Sequence, residues 1–215
     1  MKKIYTLILV INGLIANAQI GGGWDWAINT GSFSQAIKHL SYQPNGDILI
    51  GGSLVGSNYL GGTTVTIPDI SSFTGTMFFL GKIVNGTTTV VYSINNVNIS
   101  WDCVTTDSSG NYYVGGGINT ASPIDLGNGV TISGFLNTYI AKFNSNGIAQ
   151  WAKTFDLGST TGTASKTISR LAVSKFGNIY FTGVNPNMPS GAGLATNMPL
   201  YKLDVSGNIL WFKTV

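Results

Sequence analysis

The sequence predicts an all-β chain assembled from three copies of one four-stranded antiparallel unit. Three ungapped segments carry that prediction: "LSYQPNGDILIGG" (Leu40–Gly52), "VTTDSSGNYYVGG" (Val104–Gly116) and "LAVSKFGNIYFTG" (Leu171–Gly183). Each is followed by a second repeated stretch: "GKIVNGTTTVVYS" (Gly81–Ser93), "AKFNSNGIAQWAKTF" (Ala141–Phe155) and "YKLDVSGNILWFKTV" (Tyr201–Val215). Lys82, Lys142 and Lys202 recur every sixty residues, and a fixed period of that size marks a repeat architecture. The composition agrees: 29 Gly and many Thr, Ser and Asn, with only 9% charged residues, favour strands joined by tight turns.

Residues 1–18 stand apart. Lys2 and Lys3 precede the apolar run "IYTLILVINGLIA", and Ala16-Asn17-Ala18 gives the small-x-small pattern of a cleavage site. This reads as a secretory signal peptide, too short and too interrupted to span a bilayer. The mature chain is expected to begin at Gln19, exported to the medium or the cell surface. No cysteine follows the cleavage site to accept a lipid, and no later apolar stretch is long enough for membrane insertion. Next come residues 19–35, where "WDWAIN" (Trp24–Asn29) resembles the last strand of a unit, "QWAKTF" (Gln150–Phe155), and predicts one outer strand of a closing blade.

The three units then occupy residues 36–95, 96–156 and 157–215. Their strands A to D are expected at 36–42, 47–52, 77–83 and 88–94; at 101–107, 111–116, 138–144 and 148–154; and at 168–174, 178–183, 199–205 and 209–215. The A–B and C–D connections contain Asn-Gly, Ser-Gly or Phe-Gly, where glycine accepts a positive φ. The B–C connections are long and differ between units. "LGGTTVTI" (Leu60–Ile67) and "LGNGVTI" (Leu126–Ile132) predict an accessory strand or hairpin in two of them. Trp151 and Trp211 fall four residues after the turn glycine; Val90 holds that place in the first unit.

Strand B decides how the units pack. "ILI", "YYV" and "IYF" are continuously apolar, so both faces of each sheet need cover. A four-stranded sheet flanked by copies of itself is a propeller blade. The expected architecture is therefore a partial β-propeller of three blades plus one N-terminal strand. The strand count, and a chain that stops at Val215 inside a strand, predict the N-terminal portion of a longer protein with a larger ring.

The motifs "DSSGNYYVGG" (Asp107–Gly116) with "YIAKFNSNGIAQW" (Tyr139–Trp151), and "FGNIYFTG" (Phe176–Gly183) with "YKLDVSGNILW" (Tyr201–Trp211), resemble the SBBP-type β-propeller repeats of exported Bacteroidetes proteins. The resemblance covers nearly all the mature chain. At the acidic position of that repeat, five residues before the lysine, this chain has Met77, Asn137 and Asn197. The resemblance implies a secreted or cell-surface protein.

The chemistry-bearing side chains are few. Without Lys2 and Lys3, nine basic side chains face eight acidic ones, which gives no electrostatic reason to bind nucleic acid. Cys103 is alone, so no intrachain disulfide forms, and it reads as a small buried apolar residue. His39 is unique and lacks the clustered ligands of a zinc site. Asp47, Asp107 and Asp204 sit in turns, where local backbone bonding selects them. Trp151 and Trp211 read as packing anchors before sugar-stacking platforms; Trp24 and Trp26 carry the same ambiguity. Trp101-Asp102 stands at the start of a strand, unlike the end-of-blade pair of WD repeats. Arg170 is the only arginine, which argues against a sialidase-like arginine cluster. There is no phosphate loop, nucleophile elbow or EF-hand. No catalytic, cofactor-binding or metal-binding residue is expected.

These residues point to a non-enzymatic surface module for adhesion, display or binding. A protein or glycan ligand would be held by the B–C loops, about 53–76, 117–137 and 184–198, because rigid strands position loops of free sequence. The alternatives are a propeller enzyme, glycan-cleaving or quinoprotein-like, with catalytic groups in further blades, and a purely structural spacer.

Overall fold

Backbone pairing turns each repeat into its own sheet. The computed structural model describes residues 35–43, 45–55, 59–60, 63–64, 76–85, 87–95, 97–157, 167–184 and 199–214. The expected signal peptide, the Trp24–Asn29 strand and most of the B–C loops at 53–76 and 184–198 lie outside them. The first unit contains β1 (Gln35–Tyr42), β2 (Ile48–Val55), a short pair β3 (Tyr59–Leu60) and β4 (Thr63–Thr64), then β5 (Thr76–Val84) and β6 (Thr87–Asn95). The second contains β7 (Cys103–Thr106), β8 (Tyr112–Gly117), the pair β9 (Ile124–Asp125) and β10 (Thr131–Ile132), then β11 (Thr138–Phe143) and β12 (Ala149–Phe155). The third contains β13 (Thr167–Val173), β14 (Ile179–Val184), β15 (Pro199–Leu203) and β16 (Ile209–Thr214). Every described element is a strand. The sheet orders are β1-β2-β5-β6, β7-β8-β11-β12 and β13-β14-β15-β16, antiparallel throughout. The predicted strands A to D are found within a few residues of their expected bounds, and both predicted accessory stretches contribute to a two-stranded hairpin. The sheets are open.

One turn design serves five hairpins. The first turn residue donates its N–H to the carbonyl four residues on, at 2.8 to 3.1 Å, in Gln43, Asp107, Asn144, Ser174 and Asp204. The glycine three residues on then donates back to that first residue. These glycines have φ between +77° and +93°, a range that other L-residues enter only with strain. The side chain at the first position explains the residue choice: Asp107 Oδ1 accepts from the Ser109 and Asn111 N–H groups at 2.9 and 3.0 Å. Asn144 and Asp204 repeat this, and the Ser174 hydroxyl does so at 3.2 and 3.3 Å. Short oxygen-bearing side chains are selected because they hold the loop's own N–H groups.

Packing follows from the period-two alternation of strand faces. All six residues of β8 are buried. Tyr112 and Val114 join Leu49, Phe78 and Leu80 of the first sheet in one cluster, completed by Trp101, Val104 and Phe143. Their neighbour Tyr113 points the other way, packing with Ile140, Phe155, Ile168, Ile179 and Phe181 between the second and third sheets. The middle sheet is thus covered on both faces by its siblings, as its unbroken apolar strand requires. Each large side chain so buried contributes about 1.5–3 kcal/mol. A third cluster, Ile50, Met77, Phe79 and Ile83, occupies the opposite face of the first sheet. Polar links cross the joints: Tyr112 Oη donates to the Gly81 carbonyl at 2.7 Å, and the Ile168 N–H donates to Asp102 Oδ2 at 3.1 Å. The first strands of the three units are neighbours, with β7 against both β1 and β13.

The joints share a polarity. The β11–β12 turn rests on β6, where a Cβ on Gly147 would collide with the Val91 carbonyl. The β15–β16 turn rests on β12, where a Cβ on Gly207 would lie 2.9 Å from Trp151 Cζ3 and Lys153 Cγ. Counting from the turn glycine matches Val90 with Trp151, but the fold does not. The bulge lies between Leu80 and Gly81 in the first unit and between Lys142 and Phe143 in the second. Val90 consequently pairs with Gly81 and packs with the Ile50–Phe79 cluster, while Val91 and Tyr92 form the surface that meets the second sheet.

Candidate functional site

Three surfaces hold whatever chemistry the described residues possess. The first is the B–C connection of the second unit, residues 117–137. Its apolar positions alternate about a Gly127-Asn128-Gly129 tip, so Ile124, Leu126 and Ile132 turn inward and are buried, with Ile118 beneath them. Asn128 Nδ2 reaches the Ala149 carbonyl at 2.8 Å, tying the tip to β12. What remains outside is uncharged apart from Asp125: Ser122, Pro123, Thr131, Ser133 and Phe135, the last 57% exposed. The predicted loop is a braced hairpin, half core and half surface.

The second is the edge formed by β1, β7 and β13. Each of these strands carries an extra residue opposite its partner at the same repeat position. The register skips Lys38 between Ile37 and His39, and Ser169 between Ile168 and Arg170. In the second unit Cys103 pairs with Gly115, and Asp102 donates its own N–H to the same Gly115 carbonyl at 2.9 Å. A bulge of this kind re-aims a side chain. Counting back from Leu40, Val104 and Leu171, the column after the bulge holds His39, Cys103 and Arg170, the chain's only histidine, only cysteine and only arginine. Lys38 and Arg170 are exposed; Asp102 is half-buried. Burial raises the Asp102 carboxyl above its usual range, against bonds from Ser100 and the Ile168 N–H and the nearby Lys38 charge that pull it down. Burial also lowers the His39 imidazole, whose Nε2 has no partner among the described residues. The Cys103 thiol is pushed up to about 12, by burial first and by the Asp102 charge next, so it stays a thiol at neutral pH and is a poor nucleophile.

The third is the face of the last sheet turned away from the second. Tyr180 meets Trp211 edge-on at 6.3 Å, and Lys202 Nζ lies 5.7 Å from the Tyr180 ring. The same trio recurs in the second sheet as Tyr113, Trp151 and Lys142, at 6.2 and 5.3 Å. There it is packed under the third sheet; here Trp211 is 37% exposed.

The other singled-out side chains take structural places. Trp151 is a half-buried packing residue, as read. Trp101 is 3% exposed and stacks on Phe78 and Tyr92, so the Trp-Asp pair divides its work between a core joint and the edge cluster. Asp107 and Asp204 serve their turns, and Asp47 accepts from Asn45 Nδ2 at 2.9 Å. Trp24 and Trp26 lie outside the described residues. The edge cluster escaped sequence reasoning because its residues are chemically unlike. Its one signal is that the His, Cys and Arg share a column.

No protein-family model and no curated protein matches the chain. Among solved structures, a protein of unknown function from Bacteroides caccae is similar, with 13% identity over 84% of this chain and 68% of that one and a TM-score of 0.29. Among the described residues no three His, Cys, Asp or Glu side chains gather to hold a metal ion, and no helix is long and apolar enough to cross a membrane.

Proposed function

We propose that the chain is an exported, non-enzymatic scaffold of β-propeller type that binds a protein or glycan through its B–C connections. The propeller reading is supported by the doubly covered middle sheet and by the row of first strands β1, β7 and β13, which brings the sheets together along one edge. Export rests on Lys2, Lys3 and the apolar run ending at Ala16-Asn17-Ala18, and the kinship on the SBBP-like motifs. The observation that carries the binding role is the braced hairpin at 117–137. Its buried half fixes Ile124, Leu126 and Ile132, and its outer half presents uncharged hydroxyls beside the exposed Phe135 ring. Such a surface suits a neutral partner, sugar or peptide, more than an ionic one.

The test is a screen of the secreted protein against neutral glycans and cell-surface proteins, repeated with Phe135→Ala, Thr131→Ala and Ser133→Ala. These exposed substitutions leave the core intact. Loss of binding in the variants is the expected result. A ligand held equally well by all of them would remove the hairpin from the site.

A further inference from the structure

The bulged edge has a chemistry that the hairpin lacks. We infer that the edge formed by β1, β7 and β13 is a second binding site, which takes an oxyanion, carboxylate or phosphate, between Lys38 and Arg170. Four other cations are occupied by rings: Lys142, Lys175, Lys202 and Lys213 each lie 5.0 to 5.8 Å from an aromatic centroid. Lys38 and Arg170, like Lys82 and Lys153, have no such partner among the described residues; both are exposed, and their place on the edge sets them apart. They stand on the two strands that flank β7.

The remaining groups support this use. Arg170 donates one N–H to the Ser169 carbonyl at 2.7 Å, a bond to its own bulge that holds the base of the side chain and leaves further guanidinium donors free. The Asp102 carboxylate faces inward, accepting from Ser100 and from the Ile168 N–H. It draws on Lys38 only through the field, and the Arg170 charge acts on the neighbouring Cys103 thiol. Guanidinium offers a planar fork that matches two oxygens of a carboxylate or phosphate, and ammonium adds a point charge. The bulges supply the aim: one turns Lys38 out of the regular alternation, and the other places its extra residue, Ser169, directly before Arg170, whose guanidinium bonds to it. The site is independent of the hairpin, whose exposed half has no cation.

Because the chain has a single arginine, its Nε–Hε cross-peak is a private reporter in a nitrogen–proton correlation spectrum. The full chain is titrated with glucuronate, with inorganic phosphate and with neutral glucose at constant ionic strength. The expected result is a saturable shift of the Arg170 peak with one or both oxyanions and none with glucose; the responding arm identifies the source of the anion. Lys38→Gln should weaken that binding about tenfold or more, the loss of one charge-assisted bond. Lys38→Arg should restore it, and Phe135→Ala should leave it unchanged. No shift, a shift shared by glucose, a response linear in concentration or one indifferent to Lys38→Gln would each overturn the assignment without touching the hairpin reading.

Discussion

Gly207→Ala isolates the joint between sheets from the turn that makes it. Gly207 has φ +81° and Gly177 has φ +79°, in turns with the same hydrogen bonds. An alanine forced into that region costs about 1–2 kcal/mol at either position. The surroundings differ. A Cβ at Gly177 would stand 3.5 Å from Val205 Cγ2, an ordinary contact, whereas at Gly207 it would lie 2.9 Å from both Trp151 Cζ3 and Lys153 Cγ. The lysine stem can swing away, but the half-buried indole is held edge-on by Tyr113. Overpacking of this kind adds about 1–3 kcal/mol. Gly207→Ala should therefore lose about 2–5 kcal/mol and Gly177→Ala about 1–2. In a chain of this size each kcal/mol lowers the melting midpoint by about 2–4 °C. Urea unfolding followed by circular dichroism measures the difference, and the double variant with Trp151→Ala should recover part of it as a coupling energy. Equal losses at the two glycines, or strict additivity with Trp151→Ala, would refute the seating of the third sheet on β12.

Four other outcomes follow from groups at the joints and turns. Tyr112→Phe removes a fully buried bond across the first joint, leaves the Gly81 carbonyl unpaired and should cost about 1–3 kcal/mol. Tyr113→Phe should cost under about 1 kcal/mol, because Asp107 keeps its bonds from Ser109 and Asn111; paired urea titrations of the two variants read the contrast. Asp102 has a folded-state pKa raised mainly by burial, so its ionised form opposes folding. Its contribution improves as pH falls through the folded value towards the ordinary carboxylate range, and pH-dependent melting should show that gain in the wild type and lose it in Asp102→Asn. Asp204 works in the opposite sense: its pKa is lowered chiefly by the Asn208 bonds, so its stabilisation is present above the ordinary value and fades in acid. Cys103, with its thiol near 12, should react with a disulfide reagent at pH 8 about a thousandfold more slowly in the native state than after denaturation, from thiolate fraction alone.

The strands were legible in the sequence because their signals are local. Turn glycines, oxygen-bearing first-turn residues and unbroken apolar runs each report a backbone need at one position, and β2, β8 and β14 form where those runs lie. Two features were hidden. The exchange of Val90 for Val91 and Tyr92 at the first joint depends on where a bulge falls, and two residues join β5 to β6 where five join β11 to β12 and β15 to β16, which gap-free counting from the glycine conceals. The edge cluster was hidden because repetition reveals itself through sameness, while Lys38, Asp102 and Ser169 share a position and no chemistry. The hairpin at 117–137 was half visible: "IDL" and "VTI" about Gly-Asn-Gly alternate as a strand pair should, yet nothing in the local pattern says which core receives Ile124, Leu126 and Ile132.

The one-way seating of turn upon neighbouring strand gives the molecule a grammar. At both described joints a plug on one module fits a socket on the module before it, so a gene segment copied in tandem meets a ready-made fit instead of requiring a new one. Natural variation is then free to accumulate where neither plug nor socket is involved, in the bracing hairpins and along the bulged rim, which are the places where this chain's copies differ most.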